Sequence, residues 1–295
     1  MRYSMAFRTV IVNNHSKLSY KNKNLIYKSE SQTELIPISE IDLLIMETTD
    51  IAITTALISK LTESNVAIIF CDTKRLPAAQ LIPYYGKHDS TLQIQKQIGW
   101  NKSKKIHAWT EILQQKITNQ SLLLKYHCFE EKAETLRKFS EEIKEGDLSN
   151  REGHSARVFF NTLYGNSFSR DIMNDINSGL DYGYTLLISI FAREIVKCGC
   201  LTQIGINHTN QFNPFNLASD LMEPFRVIAD VIVYENRSKE FPLIKRCLYE
   251  MFNRTYIYGG AKMYLTNIAQ HYTKQFLDYM HETESHIPVF VLESL

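Results

Sequence analysis

One stretch of the sequence, residues 207–230, combines one histidine with three carboxylates in a segment that is otherwise mostly apolar or amide-bearing. The side chains concerned are His208, Asp220, Glu223 and Asp230. Carboxylates and an imidazole can bind a divalent cation, transfer protons or form ion pairs. The acids could therefore belong to a solvated face, a salt-bridge cluster or the wall of a metal site.

Apolar periodicity predicts a helix over about residues 216–234. At 100° per residue, Asp220, Glu223 and Asp230 share an arc of about 80°, and every other direction is apolar. Like charges at this spacing repel one another, so a divalent cation or a basic partner would relieve them. The alternative is a solvated strip with Arg226 as its partner.

Glu152 is a further carboxylate on an apolar helix face. Ser149 or Asn150 can begin this helix and Gly165 can end it. At 100° per residue, Glu152 lies on the same side as the apolar stripe, whereas His154 lies on the opposite, exposed side. The stripe consists of Ala156, Phe159, Phe160 and Leu163. A carboxylate there must be protonated, bound to a metal or paired, and an arginine from another helix is the alternative to a metal.

His208 precedes the predicted helix in an apparent loop, where a histidine alone is commonly only polar. Together with Glu152 and Glu223 it provides two carboxylates and one imidazole, which suit Mg²⁺ or Mn²⁺. Zn²⁺ would accept the same donors, but no cysteine or histidine pair supports a closed structural zinc site. A Gly-rich phosphate loop, a G-x-S-x-G elbow and an H-E-x-x-H motif are all missing from the sequence, which argues against nucleotide hydrolases, serine hydrolases and zincins.

The elements that must position these residues follow a simple order. The N-terminal part shows short β-branched and alternating runs that predict strands, with a hairpin at about residues 17–27 and helical spacing over residues 51–63. Proline and glycine mark a connecting segment at about residues 74–90, and the pattern beyond it is helical almost to the end. We therefore predict an α+β protein with a small β-rich domain (residues 1–86) and a large all-helical domain (residues 87–295).

Composition excludes some classes of protein. The chain has 295 residues, 44% of them hydrophobic, and a net charge of +1, so a nucleic-acid surface must be a local patch. The five cysteines include no C-x-x-C pair, which indicates reduced thiols and a cytoplasmic protein. The longest apolar run, residues 186–192, is too short to span a bilayer.

The best candidate for such a patch is the basic segment, residues 237–262. Its basic side chains are Arg237, Lys239, Lys245, Arg246, Arg254 and Lys262, against the acids Glu240 and Glu250. An ordinary charged helix face would explain the same pattern.

Several stretches, in this order and spacing, resemble the CRISPR-associated protein 1 family, the CRISPR adaptation integrase, in its type II-A form. The similarity covers nearly the whole chain. It is carried by residues 8–20 (RTVIVNNHSKLSY), 152–160 (EGHSARVFF), 181–184 (DYGY), 205–208 (GINH) and 216–226 (NLASDLMEPFR).

The resemblance implies more than the composition does. It implies an N-terminal β domain that mediates dimerisation and a helical domain with a divalent-metal site. The implied ligands of Mg²⁺ or Mn²⁺ are Glu152, His208 and Glu223, with Asp220 at a second, less strictly required acidic position. The implied activity is the insertion of short DNA fragments into a CRISPR array by attack of a 3′-hydroxyl. The implied partners are DNA, CRISPR-associated protein 2, the type II effector nuclease and an accessory adaptation protein.

The sequence departs from the family pattern at two positions, with Asp181 where asparagine is usual and Val227 where proline is frequent. The residues before Ala6 have no counterpart, which leaves Met1 and Met5 as alternative starts. Two other functions remain open: a nuclease for branched or single-stranded DNA that uses the same residues, and a DNA-holding scaffold whose acidic cluster is structural. A small-molecule hydrolase lacks any substrate motif.

Overall fold

The computed structural model describes residues 8–83 and 87–293, and the chain divides into two compact units, residues 1–87 and 88–295. The first unit is β-rich and the second is mostly helical, which confirms the predicted α+β class. The alternative starts Met1 and Met5, and residue 86 at the predicted domain boundary, lie outside the described residues.

The first unit contains two four-stranded sheets and one helix among its described residues. One sheet has the order β1-β5-β7-β8 and the other has the order β4-β3-β2-β6. The elements are β1 (Arg8–Val12), β2 (Ser16–Lys21), β3 (Asn24–Lys28), β4 (Thr33–Pro37), β5 (Ile41–Met46), β6 (Ile51–Ile53), α1 (Thr55–Glu63), β7 (Ala67–Cys71) and β8 (Pro77–Leu81).

The predicted hairpin is present as β2 and β3. Tyr20 pairs with Leu25 and Lys21 pairs with Asn24, and the two turn residues Asn22 and Lys23 have φ of 50° and 65°. Two positive φ angles in a two-residue loop match the right-handed twist of the flanking strands. Both sheets and α1 contribute apolar side chains to one buried core, including Leu18, Leu25, Leu44, Leu57 and Ile68.

Two expectations for this unit are wrong in detail. Residues 51–53 form the short strand β6, and the helix α1 begins only at Thr55. The side chain of Thr54 caps this helix by accepting a hydrogen bond from the N–H of Leu57. The predicted linker of residues 74–90 contains β8, which pairs antiparallel with β7. An edge strand tolerates Pro77 at its first position, so proline did not mark a linker here.

The second unit is built mainly of helices. They are α2 (Ser90–Ile98), α3 (Lys102–Tyr126), α4 (Glu130–Glu141), α5 (Arg151–Tyr164), α6 (Asp175–Lys197), α7 (Asn216–Leu221), α8 (Arg226–Glu235), α9 (Phe241–Leu248), α10 (Glu250–Asn253) and α11 (Leu265–Met280). Among the described residues, none of the helices has the length and apolar character needed to cross a membrane.

The long helix α6 is largely buried and packs against α7, α8, α9 and α11. A Cβ on Gly183 would lie 2.7 Å from the Cβ of Ala229 on α8 and 3.1 Å from Leu248 on α9. Only glycine allows this approach, so Gly183 lets α6 pack closely against α8 and α9.

The prediction of an all-helical second domain is wrong, because β9 (Thr255–Tyr258) and β10 (Ala261–Tyr264) form a hairpin. Gly259 and Gly260 make its two-residue turn with φ of 57° and 78°. A Gly-Gly pair between two short runs with aromatic residues at alternate positions of the first, Tyr256 and Tyr258, is a hairpin signal that the sequence did contain. The basic segment is therefore two short helices and a hairpin rather than one helix.

Candidate active site

The predicted helix over residues 216–234 is interrupted at Pro224, as its missing backbone N–H requires. Helix α7 ends at Leu221, a 3₁₀ turn covers Glu223–Phe225, and α8 begins at Arg226. Asp220 and Glu223 lie on either side of this break and have different partners, His208 and Lys116, although an unbroken helix would place the two acids on one face.

His208 lies in the loop before α7, and Asp220 holds its ring. The ring Nδ1 is 2.7 Å from Asp220 Oδ1. The same carboxylate accepts three backbone N–H groups, those of Ile206 (2.7 Å), Asn207 (3.3 Å) and His208 (3.0 Å). The hydrogen bond to Asp220 raises the pKa of His208 against the lowering effect of burial. A carboxylate bonded to one ring nitrogen is the usual support of a metal-binding histidine.

The loop approaches Asp220 so closely that position 205 has no room for a side chain. A Cβ on Gly205 would lie 2.6 Å from Asp220 Oδ2 and 2.5 Å from the carbonyl oxygen of His208. On the other side, Trp109 of α3 meets the His208 ring edge-on, with 5.6 Å between centroids. The ring is thereby fixed in place, while 35% of the His208 side chain stays exposed.

Glu223 occupies the 3₁₀ turn and is only 2% exposed. Its Oε1 lies 2.8 Å from Arg226 and its Oε2 lies 2.7 Å from Lys116 Nζ. Burial alone would raise the pKa of Glu223, but Arg226 and Lys116 together hold it below its usual value. Glu223 is therefore a buried, charged carboxylate, and the expectation of a solvated acidic strip is wrong even though Arg226 is its partner as expected.

Glu152 lies in the first turn of α5, on the face that carries Ser155, Phe159 and Leu163. Asp147 positions this turn by accepting the backbone N–H groups of Arg151 at 2.7 Å and Glu152 at 2.9 Å. Asn150 and Gly165 flank this helix and His154 is exposed, as predicted, although the Asn150 side chain makes no capping hydrogen bond. Glu152 itself is half-buried, with 34% of its side chain exposed.

Lys116 joins the two predicted ligand carboxylates, and the sequence analysis did not identify it. Its Nζ is 2.8 Å from Glu152 Oε1 and 2.7 Å from Glu223 Oε2, on a side chain that is 9% exposed. Glu223 and Glu152 raise the pKa of this lysine despite its burial. The partner of Glu152 is thus a lysine from α3 and not an arginine. A signal existed, because Lys116 occupies an inward position of α3 beside Ile112 and Leu113.

The proposed ligands are near one another but are not arranged around a metal. Within residues 8–83 and 87–293, no three His, Cys, Asp or Glu side chains are placed to hold an ion as they stand. The Lys116 ammonium lies between the two carboxylates and contacts one oxygen of each. Glu223 Oε2 is buried and makes only this ion pair, without a hydrogen bond of good geometry. Once Nζ withdraws, the donors fit a divalent cation, and the ligand set stays a prediction.

Asp230 is separate from these residues in its role. It is 2% exposed and accepts a hydrogen bond from the hydroxyl of Tyr184 on α6. Burial raises the pKa of Asp230 to about 6, opposed by the hydroxyl of Tyr184 and by Arg226. The guanidinium of Arg226 also lies 4.5 Å from the Tyr184 ring centroid. Asp230 therefore ties α8 to α6 as a structural acid.

The basic segment does not present one continuous charged face. Lys245 is buried, whereas Arg237, Lys239, Arg246, Arg254 and Lys262 are exposed on α9, its flanking loops and the hairpin. Arg237 also donates to the carbonyl oxygen of Tyr234 at 2.7 Å. Lys245 is therefore removed from the set of candidate phosphate contacts, and the other five stay predictions.

Comparison with known proteins gives one consistent family. The sequence model of the family described as "CRISPR associated protein Cas1" matches residues 9–240. A curated "CRISPR-associated endonuclease Cas1" from Neisseria meningitidis serogroup C is 32% identical over 229 residues, which are 78% of this chain and 75% of the relative. A "CRISPR-associated endonuclease Cas1 1" from Francisella tularensis subsp. novicida is 23% identical over 287 residues, or 86% and 89% of the two chains.

Solved structures show the same fold. A casposase bound to integration product has a TM-score of 0.77 at 18% identity and covers 98% of this chain and 96% of its own. A CAS1 protein from Thermotoga maritima has a TM-score of 0.74 at 15% identity, with 97% and 100% covered. A Cas6-RT-Cas1–Cas2 complex gives 0.73 at 17% identity, with 99% of this chain and 37% of that chain covered.

Proposed function

This chain belongs to the Cas1 family, and from that premise we propose that it is a DNA endonuclease and integrase of CRISPR adaptation. It inserts short DNA fragments into a CRISPR array by attack of a fragment's 3′-hydroxyl on a phosphodiester. The curated relatives are named endonucleases, and a structural neighbour is a casposase bound to an integration product. Both names support phosphodiester chemistry on DNA.

The observation that carries this proposal is the convergence of Glu152 and Glu223 on one buried cationic position. The two carboxylates come from different elements and meet at Lys116 Nζ, at 2.8 and 2.7 Å. His208 is close enough to Glu223 for each to affect the pKa of the other. Two carboxylates and an oriented imidazole, gathered from three places in the chain, are what a hard divalent cation needs.

In the proposed mechanism, Glu152, His208 and Glu223 hold Mg²⁺ or Mn²⁺, which supplies electrostatic stabilisation of the phosphate and of the attacking oxygen. With Nδ1–H of His208 donating a hydrogen bond to Asp220, Nε2 would carry the lone pair that a cation needs. Arg226 keeps Glu223 ionised in its buried place. The reaction breaks one phosphodiester bond and forms another, so no ATP is needed to drive it.

The proposed reaction requires more than one copy of this chain. Joining both ends of a fragment requires two sites, hence a homodimer or a larger complex in which CRISPR-associated protein 2 takes part. The Cas6-RT-Cas1–Cas2 complex among the structural neighbours supports this partner. The type II effector nuclease, the accessory adaptation protein and a cytoplasmic location rest on the sequence resemblance and cysteine usage alone.

The test is a strand-transfer assay with short duplex DNA and a repeat-containing plasmid, in the presence of Mn²⁺ and CRISPR-associated protein 2. We expect Glu152→Ala, His208→Ala and Glu223→Ala each to abolish transfer while the protein remains folded by circular dichroism. His154→Ala, on the exposed face of the same helix as Glu152, is the matched control and should retain transfer. Full activity in any of the three variants would remove that residue from the site.

One observation favours a second candidate, a DNA-holding scaffold. Lys116 and Arg226 already neutralise the two carboxylates, as they would in a purely structural cluster. Calorimetry with Mn²⁺ in the presence of a short duplex separates the candidates, since a scaffold would bind no metal. A nuclease that cuts branched DNA would instead bind Mn²⁺ and cleave without transfer.

A further inference from the structure

The ammonium of Lys116 is the centre of a compact charge cluster, defined by Glu152, Glu223, Lys116 and Arg226. Lys116 contacts one oxygen of each carboxylate, and Arg226 contacts the remaining oxygen of Glu223 at 2.8 Å. Lys116 and Glu223 are 9% and 2% exposed, so water screens their charges poorly. Two negative and two positive charges balance among these four side chains, and Asp230 is a further carboxyl group close enough to affect the pKa of Arg226.

That balance changes what binding of a divalent cation requires. Adding two positive charges to a buried cluster that is already neutral leaves an uncompensated charge, which is strongly unfavourable. The cost falls if Lys116 withdraws from the carboxylates and if an anion arrives to pair with the surplus positive charge. A lysine suits such an exchange because its compact charge is carried by a flexible stem.

Both carboxylates can keep a favourable environment when Lys116 withdraws. Nζ lies 2.7 Å from Glu223 Oε2 and donates a hydrogen bond to Glu152 Oε1 at 2.8 Å. Glu223 also keeps Arg226 when Nζ leaves. Glu152, in contrast, is partly exposed and can be solvated.

We propose that Lys116 holds the metal position in the free protein, so that the divalent cation and a DNA phosphate bind cooperatively. This inference rests on the proposed function. The cation replaces Nζ between Glu152 and Glu223, and the displaced ammonium pairs with a phosphate oxygen. By linkage, DNA tightens metal binding by the same factor as metal tightens DNA binding. Lys116 is thus a positioning residue that weakens metal binding until DNA is present.

The test measures Mn²⁺ affinity by calorimetry with and without a saturating concentration of a short DNA duplex. The 3′-terminal nucleotides of this duplex lack the 3′-hydroxyl, so they cannot attack a phosphodiester. For the unmodified protein, we expect the duplex to tighten Mn²⁺ binding roughly tenfold. Lys116→Met should bind Mn²⁺ more tightly than the unmodified protein without DNA, and the duplex should add little. Lys125→Met removes one charge from an exposed position of the same helix and should behave as the unmodified protein does.

Melting temperature in EDTA provides a readout that needs no metal. In EDTA, the melting temperature of Lys116→Met should be several degrees lower than that of the unmodified protein. Mn²⁺ in excess of EDTA should raise the melting temperature of Lys116→Met by more than it raises that of the unmodified protein. If Lys116→Met does not fold, Lys116→Gln serves in its place, since its amide can still donate to a carboxylate oxygen.

The outcomes separate this inference from the function beneath it. Equal Mn²⁺ affinities in the unmodified protein and the Lys116 variant, with the same gain from DNA, would overturn the inference and leave the metal site intact. Absence of Mn²⁺ binding to the unmodified protein with and without duplex would overturn the proposed function, and the inference with it.

Discussion

Asp220, Glu223 and Asp230 show how acids from one short segment acquire different roles. Asp220 orients a histidine and a loop, Glu223 faces the buried lysine, and Asp230 bonds a tyrosine. All three are at most 2% exposed. Their environments, and not their residue types, determine which of them can meet a metal.

The first prediction concerns Asp220→Asn. The asparagine can still accept hydrogen bonds from the backbone N–H groups of the loop, but it carries no negative charge beside the His208 ring. The pKa of His208 should therefore fall, because the hydrogen bond to Asp220 is the largest cause of its increase. NMR titration of the His208 ring protons measures the change. Loss of such a supporting carboxylate should also weaken Mn²⁺ binding about tenfold or more. An unchanged pKa would show that Asp220 does not govern the ring.

The second prediction concerns Asp230, whose pKa is raised from 3.8 to about 6 by burial. The folded protein holds this proton more tightly than the unfolded chain does. Its contribution to stability is therefore fully present below about pH 4 and is lost as the pH rises through about 6. Relative to Asp230→Asn, the unmodified protein should lose up to about 3 kcal/mol of unfolding free energy between pH 4 and 7. Urea unfolding at several pH values measures this difference. The same change of unfolding free energy with pH in both proteins would contradict the prediction.

The loop and helix that hold His208 depend on close backbone contact. Gly205→Ala should destabilise the second unit by about 1–3 kcal/mol and disturb His208, because the new Cβ would overlap atoms of Asp220 and His208. Gly99→Ala is the control, since a Cβ there would meet backbone oxygens at an ordinary 3.5 Å. Thermal unfolding and Mn²⁺ calorimetry measure both effects. Equal stability in the two variants would show that the loop relaxes freely.

The turn that carries Glu223 is fixed by contacts from distant parts of the chain. The side-chain amide of Asn119 on α3 donates to the carbonyl oxygens of Pro224 at 2.8 Å and Phe290 at 3.1 Å. The ring of Phe290 stacks on Phe225 with 4.1 Å between centroids. No local pattern reveals such contacts, because they join residues more than 60 positions apart.

The two units have their own cores, which leads to a prediction for the isolated second unit, residues 88–295. It contains every residue of the candidate site, so we expect it to fold cooperatively and to bind Mn²⁺ in the presence of duplex DNA. Circular dichroism and calorimetry test this, with Glu223→Ala in the same fragment as the control for specific binding. An unfolded fragment would show that the second unit needs the first.

Much of the organisation could be predicted from periodicity. The β2–β3 hairpin, the helices around Glu152 and the break at Pro224 follow from local rules on turns, caps and proline, and these rules act over a few residues. The strand β8 was missed because proline and glycine were taken as signs of a linker, and the hairpin β9–β10 was missed because the pattern beyond that linker was taken as helical almost to the end. Lys116 was missed because only carboxylates and histidines on apolar faces were considered, although its inward position on α3 indicated a buried charge that needs a partner.

The sequence by itself determined the family resemblance, the two-part organisation and the identity of the acids on apolar faces, since each depends on residue order or local spacing. Only the tertiary structure decided which charges meet. It placed Lys116 between Glu152 and Glu223, assigned Asp220 to His208 and gave Asp230 to Tyr184. The reason is physical: a buried charge is stable only beside its partner, and that partner comes from whichever helix packs against it.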